Sequence, residues 1–202
     1  MARPSRRSLI AGAALVLLVA VPTVYLNVRG RDFPPDTTPQ GAYLRIALAV
    51  RDDDLERAFS YLETEAQWAA FSLHACRQRS AARVRETYPE AEARELLQTL
   101  LPAADAVSGP AMFALYAKRK GWVSRLRKDL SGVARVEIEG ERATVETARG
   151  TRYPFRKREN GIWGLTLFTA ELKAEAERAA RDDEVVEQAA NDYRAARPKS
   201  SP

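Results

Sequence analysis

The stretch from Val133 to Phe168, VARVEIEGERATVETARGTRYPFRKRENGIWGLTLF, decides the fold of this 202-residue chain. Apolar and polar residues alternate along it with a period of two, which is typical of strands with one buried and one solvent-exposed face. Gly140, Gly150 and the pair Asn160-Gly161 supply turn signals between the runs. The stretch therefore predicts a four-strand antiparallel sheet whose strands follow one another through short turns.

The alternation also predicts which strand residues face the core. The inward set is Val136, Ile138, Ala143 and Val145, and the outward set is Glu137, Glu139 and Glu146. Because the strand carboxylates fall on the outward face, a buried carboxylate has to come from a helix.

The residues before and after this stretch carry helical patterns. The predicted boundaries are a cap at Thr38, a second cap at Asp53, a long helix from Thr64 to Tyr88, a further helix that stops at Pro102, and a last helix from Thr169 to about Ala196. In that further helix, Leu96, Leu97, Leu100 and Leu101 form the predicted buried side. The fold class is α+β, with an N-terminal transmembrane helix, a helical first half, a curved four-strand sheet and a long C-terminal helix.

The amino terminus carries a membrane signal. Three arginines precede an apolar run that starts at Leu9 and continues without a charge to Val28, which is long enough to span a bilayer as a helix. A cleaved signal peptide is the alternative, but Leu18-Val19-Ala20 matches a cleavage site poorly. The positive charge before the span predicts a cytoplasmic amino end, so the rest of the chain faces the periplasm or the cell exterior from the bacterial inner membrane.

The predicted organisation has four parts. Residues 1–30 are the anchor or export signal, residues 31–40 a proline-rich linker, residues 41–168 the α+β domain, and residues 169–202 an acidic helix and tail.

The net charge of +5 does not indicate nucleic-acid binding. Five of the 32 Lys and Arg residues precede the first acidic residue, Asp32, so the remaining basic residues only balance the 27 acidic ones. A neutral exported domain argues against a nucleic-acid partner.

The chain contains very few cysteine and histidine residues, the usual ligands of transition metals. Cys76 is the single cysteine and His74 the single histidine, and their spacing of two on a predicted helix keeps the two side chains apart. The acidic run from Asp52 to Asp54 fits helix capping better than cation binding. We therefore expect neither a metal site nor a cofactor.

Two further sets of side chains are candidates for a site. Aromatic residues at burial spacing form a candidate pocket or core: Tyr43, Phe59, Trp68, Tyr116, Tyr153 and Trp163. Basic residues on the helices form a candidate surface: Arg77, Arg79, Arg83, Arg85, Lys118, Arg119 and Lys120.

The C-terminal helix has a seam at alternating steps of four and three residues: Leu172, Ala176, Ala179, Asp183, Val186, Ala190 and Tyr193. Acidic residues outnumber basic ones along it. One interpretation is that it folds back onto the basic clusters of its own domain, and the other is that it binds a protein partner or a second copy of the chain.

The order of elements resembles the NTF2-like superfamily of cone-shaped α+β domains. The strand sequences Val136–Val145 and Arg156–Leu167 are similar to a pattern in exported bacterial members of unknown function, and the opening from Thr38 to Phe59 is similar to their first helix pair. The helical insert from Thr64 to Leu130 departs from this pattern. The resemblance implies a fold, and its enzymes place an acidic residue inside the cone, but no motif here transfers such a role.

The sequence thus favours a membrane-anchored envelope protein with a non-catalytic NTF2-like domain that binds a ligand or partner. The alternative is an isomerase- or cyclase-like enzyme with a buried carboxylate as general base.

Overall fold

The protein was analysed as a computed structural model, which describes residues 33–196. The predicted membrane anchor, residues 1–30, lies outside these residues. The predicted linker is described from residue 33 onwards.

Seven helices and four strands lie in the described part of the chain. The helices are α1 (Pro39–Arg51), α2 (Leu55–Phe59), α3 (Thr64–Thr87), α4 (Glu90–Ala104), α5 (Gly109–Arg119), α6 (Trp122–Asp129) and α7 (Thr169–Ala196). The strands are β1 (Val133–Glu139), β2 (Arg142–Thr147), β3 (Arg152–Lys157) and β4 (Trp163–Leu165). This order confirms the predicted α+β class.

No helix within residues 33–196 has by itself the length and apolar content of a membrane span. Helices α4 and α5 taken together have the length and the apolar content of a membrane span, but their axes form a bend of 110°.

The caps of the first two helices follow from side-chain hydrogen bonds. The hydroxyl of Thr38 accepts a bond of 3.1 Å from the Gly41 amide at the start of α1, as predicted. The cap of α2 is Asp54 and not Asp53, since Asp54 Oδ1 accepts from the Arg57 amide at 3.0 Å. Asp53 has a φ of 59° and forms ion pairs instead.

Helix α4 continues past its predicted stop. Pro102 cannot donate a backbone hydrogen bond, but Asp105 N–H still bonds to Leu101 O at 2.8 Å, so the helix runs to Ala104. Of the four leucines expected to be buried, only Leu100 is buried, and Leu96 is exposed. The buried side of α4 is therefore shifted toward its carboxyl end.

The four strands form one antiparallel sheet in the order β1-β2-β3-β4, as predicted. Val145 lies between Val136 and Tyr153 in the register, and all three sit on the inner face. Ile138 shares that face but is 58 % exposed, because β1 is the edge strand and the partner residue beside it is the small Ala143. The outward set of glutamates occupies the opposite face.

The other edge of the sheet is covered by the chain before α3. Leu165 N–H bonds to Tyr61 O at 2.8 Å, and Glu63 N–H bonds to Leu165 O at 3.1 Å. Gly164 makes this close approach feasible, since a Cβ there would lie 2.5 Å from Glu63 Cα. The start of α3 is thus fixed to the end of the sheet.

Helices α3 and α7 pack along each other in parallel. Lys173 bonds to Glu65 near the two amino ends at 3.0 Å, and Arg83 bonds to Glu187 near the carboxyl ends at 3.2 Å. The seam of α7 contributes Leu172, Ala179 and other buried residues to this contact. The fold-back interpretation of α7 is confirmed. Self-association through this helix stays a prediction.

Asp183 is the polar centre of the contact between α3 and α7. It is 6 % exposed, and its carboxylate accepts hydrogen bonds from Ser80 Oγ at 2.9 Å, Arg79 Nε at 2.9 Å and Arg83 Nη1 at 2.5 Å. Burial raises the pKa of Asp183, but the bonds from Ser80 and Arg79 and the charges of Arg79 and Arg83 outweigh it. The net pKa lies below its usual range.

Tyr43 and Tyr153 form the centre of the core under the sheet, with ring centroids 5.3 Å apart. The Tyr43 hydroxyl donates to Ser131 O at 2.8 Å and accepts from Ser131 N–H at 3.2 Å. The Tyr153 hydroxyl is buried without a hydrogen-bond partner among the described residues. Burial first, then the nearby Tyr43 and Asp129, raises the pKa of Tyr153 to about 12.

We expect Asp183→Asn to lower the free energy of unfolding at pH 7 by about 2–3 kcal/mol, because bonds to a buried ionised carboxylate are lost. The matched control is Glu187→Gln, which removes a half-exposed ion pair and should cost at most about 1 kcal/mol. Urea unfolding measures both variants.

The stabilising contribution of Asp183 also depends on pH. Because the folded pKa of Asp183 is depressed, its contribution to the free energy of unfolding is present above about pH 4, the usual aspartate pKa, and is lost as the pH falls through the folded pKa. Equal losses in the two variants would contradict this role.

The tyrosine pair predicts effects of opposite sign. Tyr153→Phe removes an unpaired buried hydroxyl, so we expect it to leave stability unchanged or to raise it by about 1 kcal/mol. Tyr43→Phe removes two hydrogen bonds to Ser131 and should destabilise by about 1–2 kcal/mol. Thermal unfolding of the two variants provides the comparison. A marked loss of stability in Tyr153→Phe would mean that this hydroxyl is hydrogen bonded after all.

Candidate functional site

The interior of the domain is filled by aromatic side chains. Five of the six candidate pocket or core aromatics are buried: Tyr43, Phe59, Tyr116, Tyr153 and Trp163. Further rings close the space between them, with Phe113 5.5 Å from Phe59 and Trp122 stacked on Phe168 at 4.8 Å. No carboxylate of the inner strand face enters this space, because the strand glutamates lie on the outer face.

Trp68 differs from the other five aromatics. It is 70 % exposed, since α3 turns Ala66, Ala70 and Leu73 toward the core and leaves Trp68 on the opposite side. Its neighbour Phe71 is half-exposed and packs edge-on against Phe59. Trp68 is therefore not part of the core, and of the two predicted alternatives, pocket or core, it lines a groove on the surface.

Six of the seven candidate basic residues form ion pairs with acidic side chains of the described chain. Arg77, Arg79 and Arg83 pair with Asp182, Asp183 and Glu187 of α7, Arg85 pairs with Asp105, Lys118 with Asp53, and Lys120 with Glu175. Arg119 lies 5.9 Å from the centre of the Tyr116 ring. The basic clusters thus stabilise the packing of the helices on one another, which leaves less charge for an external partner.

Glu63 is the buried carboxylate that faces a pocket. It is 4 % exposed and lines a pocket of about 450 Å³ at the end of the sheet, which we call the Glu63 pocket. The lining consists of Glu63, Glu65, Glu139, Arg142, Ala143, Thr144, Pro154, Phe155, Arg156 and Thr166. A buried charged group beside open space is the arrangement expected of a binding site.

The two oxygens of the Glu63 carboxylate have different surroundings. Oε1 accepts a hydrogen bond from the Thr169 hydroxyl, which lies at the start of α7. Oε2 lies 3.7 Å from Arg156 Nη1, beyond hydrogen-bond distance, and accepts no bond from any other described residue. Because Glu63 precedes the first turn of α3, the positive end of the helix dipole also favours its negative charge.

Glu65 connects the Glu63 pocket to two further depressions. The first is a groove of about 520 Å³ between α3 and α7, which contains Trp68, Ala69, Ser72 and Ala176, and we call it the Trp68 groove. The second, of about 500 Å³, lies over the start of α7 and includes Thr166 and Lys173. All three share Glu65 and therefore adjoin one another, and we call them together the Glu65 trough.

The charge of Glu65 is neutralised within the domain. Its carboxylate is 3.0 Å from Lys173 Nζ and 3.3 Å from Arg156 Nη1. The hydrogen bond and charge of Lys173, followed by Arg156, hold the pKa of Glu65 below its usual range, and the pKa of Lys173 is raised in turn by Glu65. The carboxylate of Glu65 is therefore a fixed, ionised part of the trough wall.

The remaining nucleophile and ligand candidates have local roles. His74 Nε2 lies 2.8 Å from Ala106 O, and the buried Cys76 Sγ accepts from Arg79 Nη2 at 3.1 Å. Within residues 33–196, no group of three or more His, Cys, Asp or Glu side chains is placed to hold a metal ion.

Sequence reasoning missed Glu63 as a site residue. The signal available was its position directly before the predicted helix start at Thr64, where a carboxylate interacts well with the helix dipole. The Glu65 trough, with one buried carboxylate, paired charges and an exposed tryptophan, is suited to binding a ligand on the surface. No protein-family model, curated protein or solved structure matches the chain.

Proposed function

We propose that this chain is a membrane-tethered, non-catalytic binding module that takes its ligand or partner on its surface, in the Glu65 trough. The observation that carries the proposal is Glu63, a charged side chain only 4 % exposed that lines a surface pocket of about 450 Å³. The interior offers no comparable site among the described residues, because aromatic rings fill it.

The NTF2-like resemblance is part of this proposal. Helices followed by a curved antiparallel sheet support it, and so does the core packing of Tyr43 and Ile46 from α1 beneath the strands. The long helical part from α3 to α6 is the departure from the NTF2-like pattern. It brings the ligand site to the outer junction of α3, α7 and the sheet.

The support for the membrane tether comes from the sequence. An apolar run of membrane-spanning length follows three arginines and is separated from α1 by a linker with Pro34, Pro35 and Pro39. In this proposal the domain stays attached to the bacterial inner membrane and works on its outer side. A binding module held there meets its partners at the cell envelope.

An enzyme of isomerase or cyclase type is the second candidate, and Glu63 is again the observation that favours it. A buried carboxylate that lines a pocket is the geometry of a general base. However, the described residues that line the Glu63 pocket include no Tyr, His or Lys side chain as an acid partner. This difference makes binding the better supported of the two activities.

The binding proposal predicts position-dependent cross-linking in living cells. A photoreactive benzoylphenylalanine in place of Trp68 or of Thr144 should give a specific adduct on irradiation, because both residues line the trough. The same residue in place of Val185, which is 67 % exposed on α7 and does not line the trough, is the matched control. Adducts at Val185 of equal intensity, or none at the two trough positions, would argue against the trough as the binding site.

The tether predicts a fractionation result that does not depend on the trough. The full chain should sediment with membranes, and protease added to spheroplasts should digest the domain. A variant that lacks residues 1–30 and begins with a new initiator methionine should stay in the cytoplasm, where the added protease cannot reach it. A domain that resists digestion until the cells are lysed would refute the proposed orientation.

A further inference from the structure

We propose that the Glu65 trough binds an extended peptide segment and that a lysine or arginine side chain of this segment enters the Glu63 pocket. This inference rests on the proposed binding function and specifies the chemistry of its ligand.

The first argument is the incomplete hydrogen bonding of Glu63. Glu63 is only 4 % exposed, and it is Oε2, the oxygen without a hydrogen-bond donor among the described residues, that keeps contact with solvent in the pocket. Thr169 supplies a donor to Oε1, whereas Oε2 has only the contact of 3.7 Å with Arg156. An ammonium or guanidinium group that enters from the pocket would supply the missing donor and the opposite charge.

The second argument is the balance of charges that line the trough. Glu65 is neutralised by Lys173 and Arg156, as described above. Glu139 and Arg142 lie directly opposite each other in the β1–β2 register at the rim. Arg156 is shared between Glu65 and Glu63. Along the whole trough, four glutamates (Glu63, Glu65, Glu139 and Glu177) face three basic residues (Arg142, Arg156 and Lys173), and this excess of negative charge favours a cation over an anion.

The third argument concerns the size of the ligand. The Glu63 pocket is not isolated, because the trough runs on past Thr166 and Lys173 to the Trp68 groove. A small amine would fill one end only and leave Trp68 uncovered. An extended peptide would place a basic side chain at one end and an apolar side chain against Trp68, Ala69 and Ala176 at the other.

The groove at Trp68 explains why a peptide fits better than a second folded helix surface. The groove lies between two helices, and its lining combines the small Ala69, Ser72 and Ala176 with the exposed indole and with charged side chains. A groove of this kind can take the side chains of an extended peptide one after another, as peptide-binding grooves do. The hydroxyls of Thr64 and Ser72 at the same groove can bond to a peptide backbone.

The test is selection of peptides on the purified full chain. A phage library of random decapeptides is panned against the wild-type protein, and the selected peptides are synthesised with a fluorescent label for anisotropy measurements. We expect the selected peptides to share a lysine or arginine. We expect Glu63→Gln to weaken their binding at least tenfold, because glutamine keeps an oxygen for the bond from Thr169 but loses the negative charge.

Two control variants separate the charge effect from general effects. Glu159→Gln changes an exposed glutamate that does not line the trough and should leave affinity unchanged. Trp68→Ala should weaken binding about fivefold or more without affecting the choice of a basic residue. A peptide with norleucine in place of its basic residue repeats the test on the unaltered protein, so the result does not depend on the folding of Glu63→Gln.

Several outcomes would overturn the inference. Selected peptides without a basic residue, or equal affinity for wild type and Glu63→Gln, would refute the role of Glu63 while leaving binding in the trough intact. Full competition by n-butylamine at the peptide's own concentration would show that the ligand is a small amine. A panning experiment without enrichment would refute peptide binding, whereas failure of the cross-linking at Trp68 and Thr144 would refute the trough as a site altogether.

Discussion

The contact between Gly164 and the backbone of Glu63 joins the helical layer to the sheet. β4 is only three residues long, and it is held on one side by β3 and on the other by the chain from Tyr61 to Glu63. Because a side chain at residue 164 would collide with Glu63 Cα, glycine is the residue that permits these hydrogen bonds. The contact seats Leu62 in the core and fixes the direction in which α3 leaves the sheet.

The same contact accounts for the unusual position of the Glu63 carboxylate. A glutamate on a solvated helix end would turn into water, but the backbone of Glu63 is bonded to Leu165 and its side chain lies against the start of α7. The Glu63 pocket is thus assembled from distant parts of the chain, namely strands β1 to β3, the start of α3 and Thr166 shortly before α7. The cost of burying the charge is partly offset by the Thr169 bond and by the helix dipole.

Much of the fold could be predicted from the sequence, and the reasons are local. Strand alternation, the turn glycines and the Thr38 cap act over a few residues, so the sheet and the start of α1 were correctly predicted. The exposure of Trp68 and of Ile138 could not be predicted this way, because it depends on how far neighbouring elements extend. Glu63 was missed for a related reason, since its burial follows from a contact with residues about a hundred positions later in the chain.

The charge pattern left two interpretations open, an external partner or the chain's own last helix. Arginine-rich stretches of α3 look like a surface for an acidic partner, yet that partner is the chain's own last helix. Asp183 interrupts the apolar seam of α7 in sequence, and in the structure it is the residue that α3 surrounds with donors. A polar residue at a seam position therefore marked the register of the two helices.

The parallel pairing of α3 and α7 also has a consequence for the order of folding. The bonds from Ser80 and Arg79 to Asp183 span 103 and 104 residues, so they cannot form until almost the whole chain has been made. Contacts of such long range slow folding, because a large loop must close before any of them is gained. During synthesis the arginines of α3 therefore remain without their acidic partners, and the carboxyl-terminal helix is the element whose arrival completes the domain.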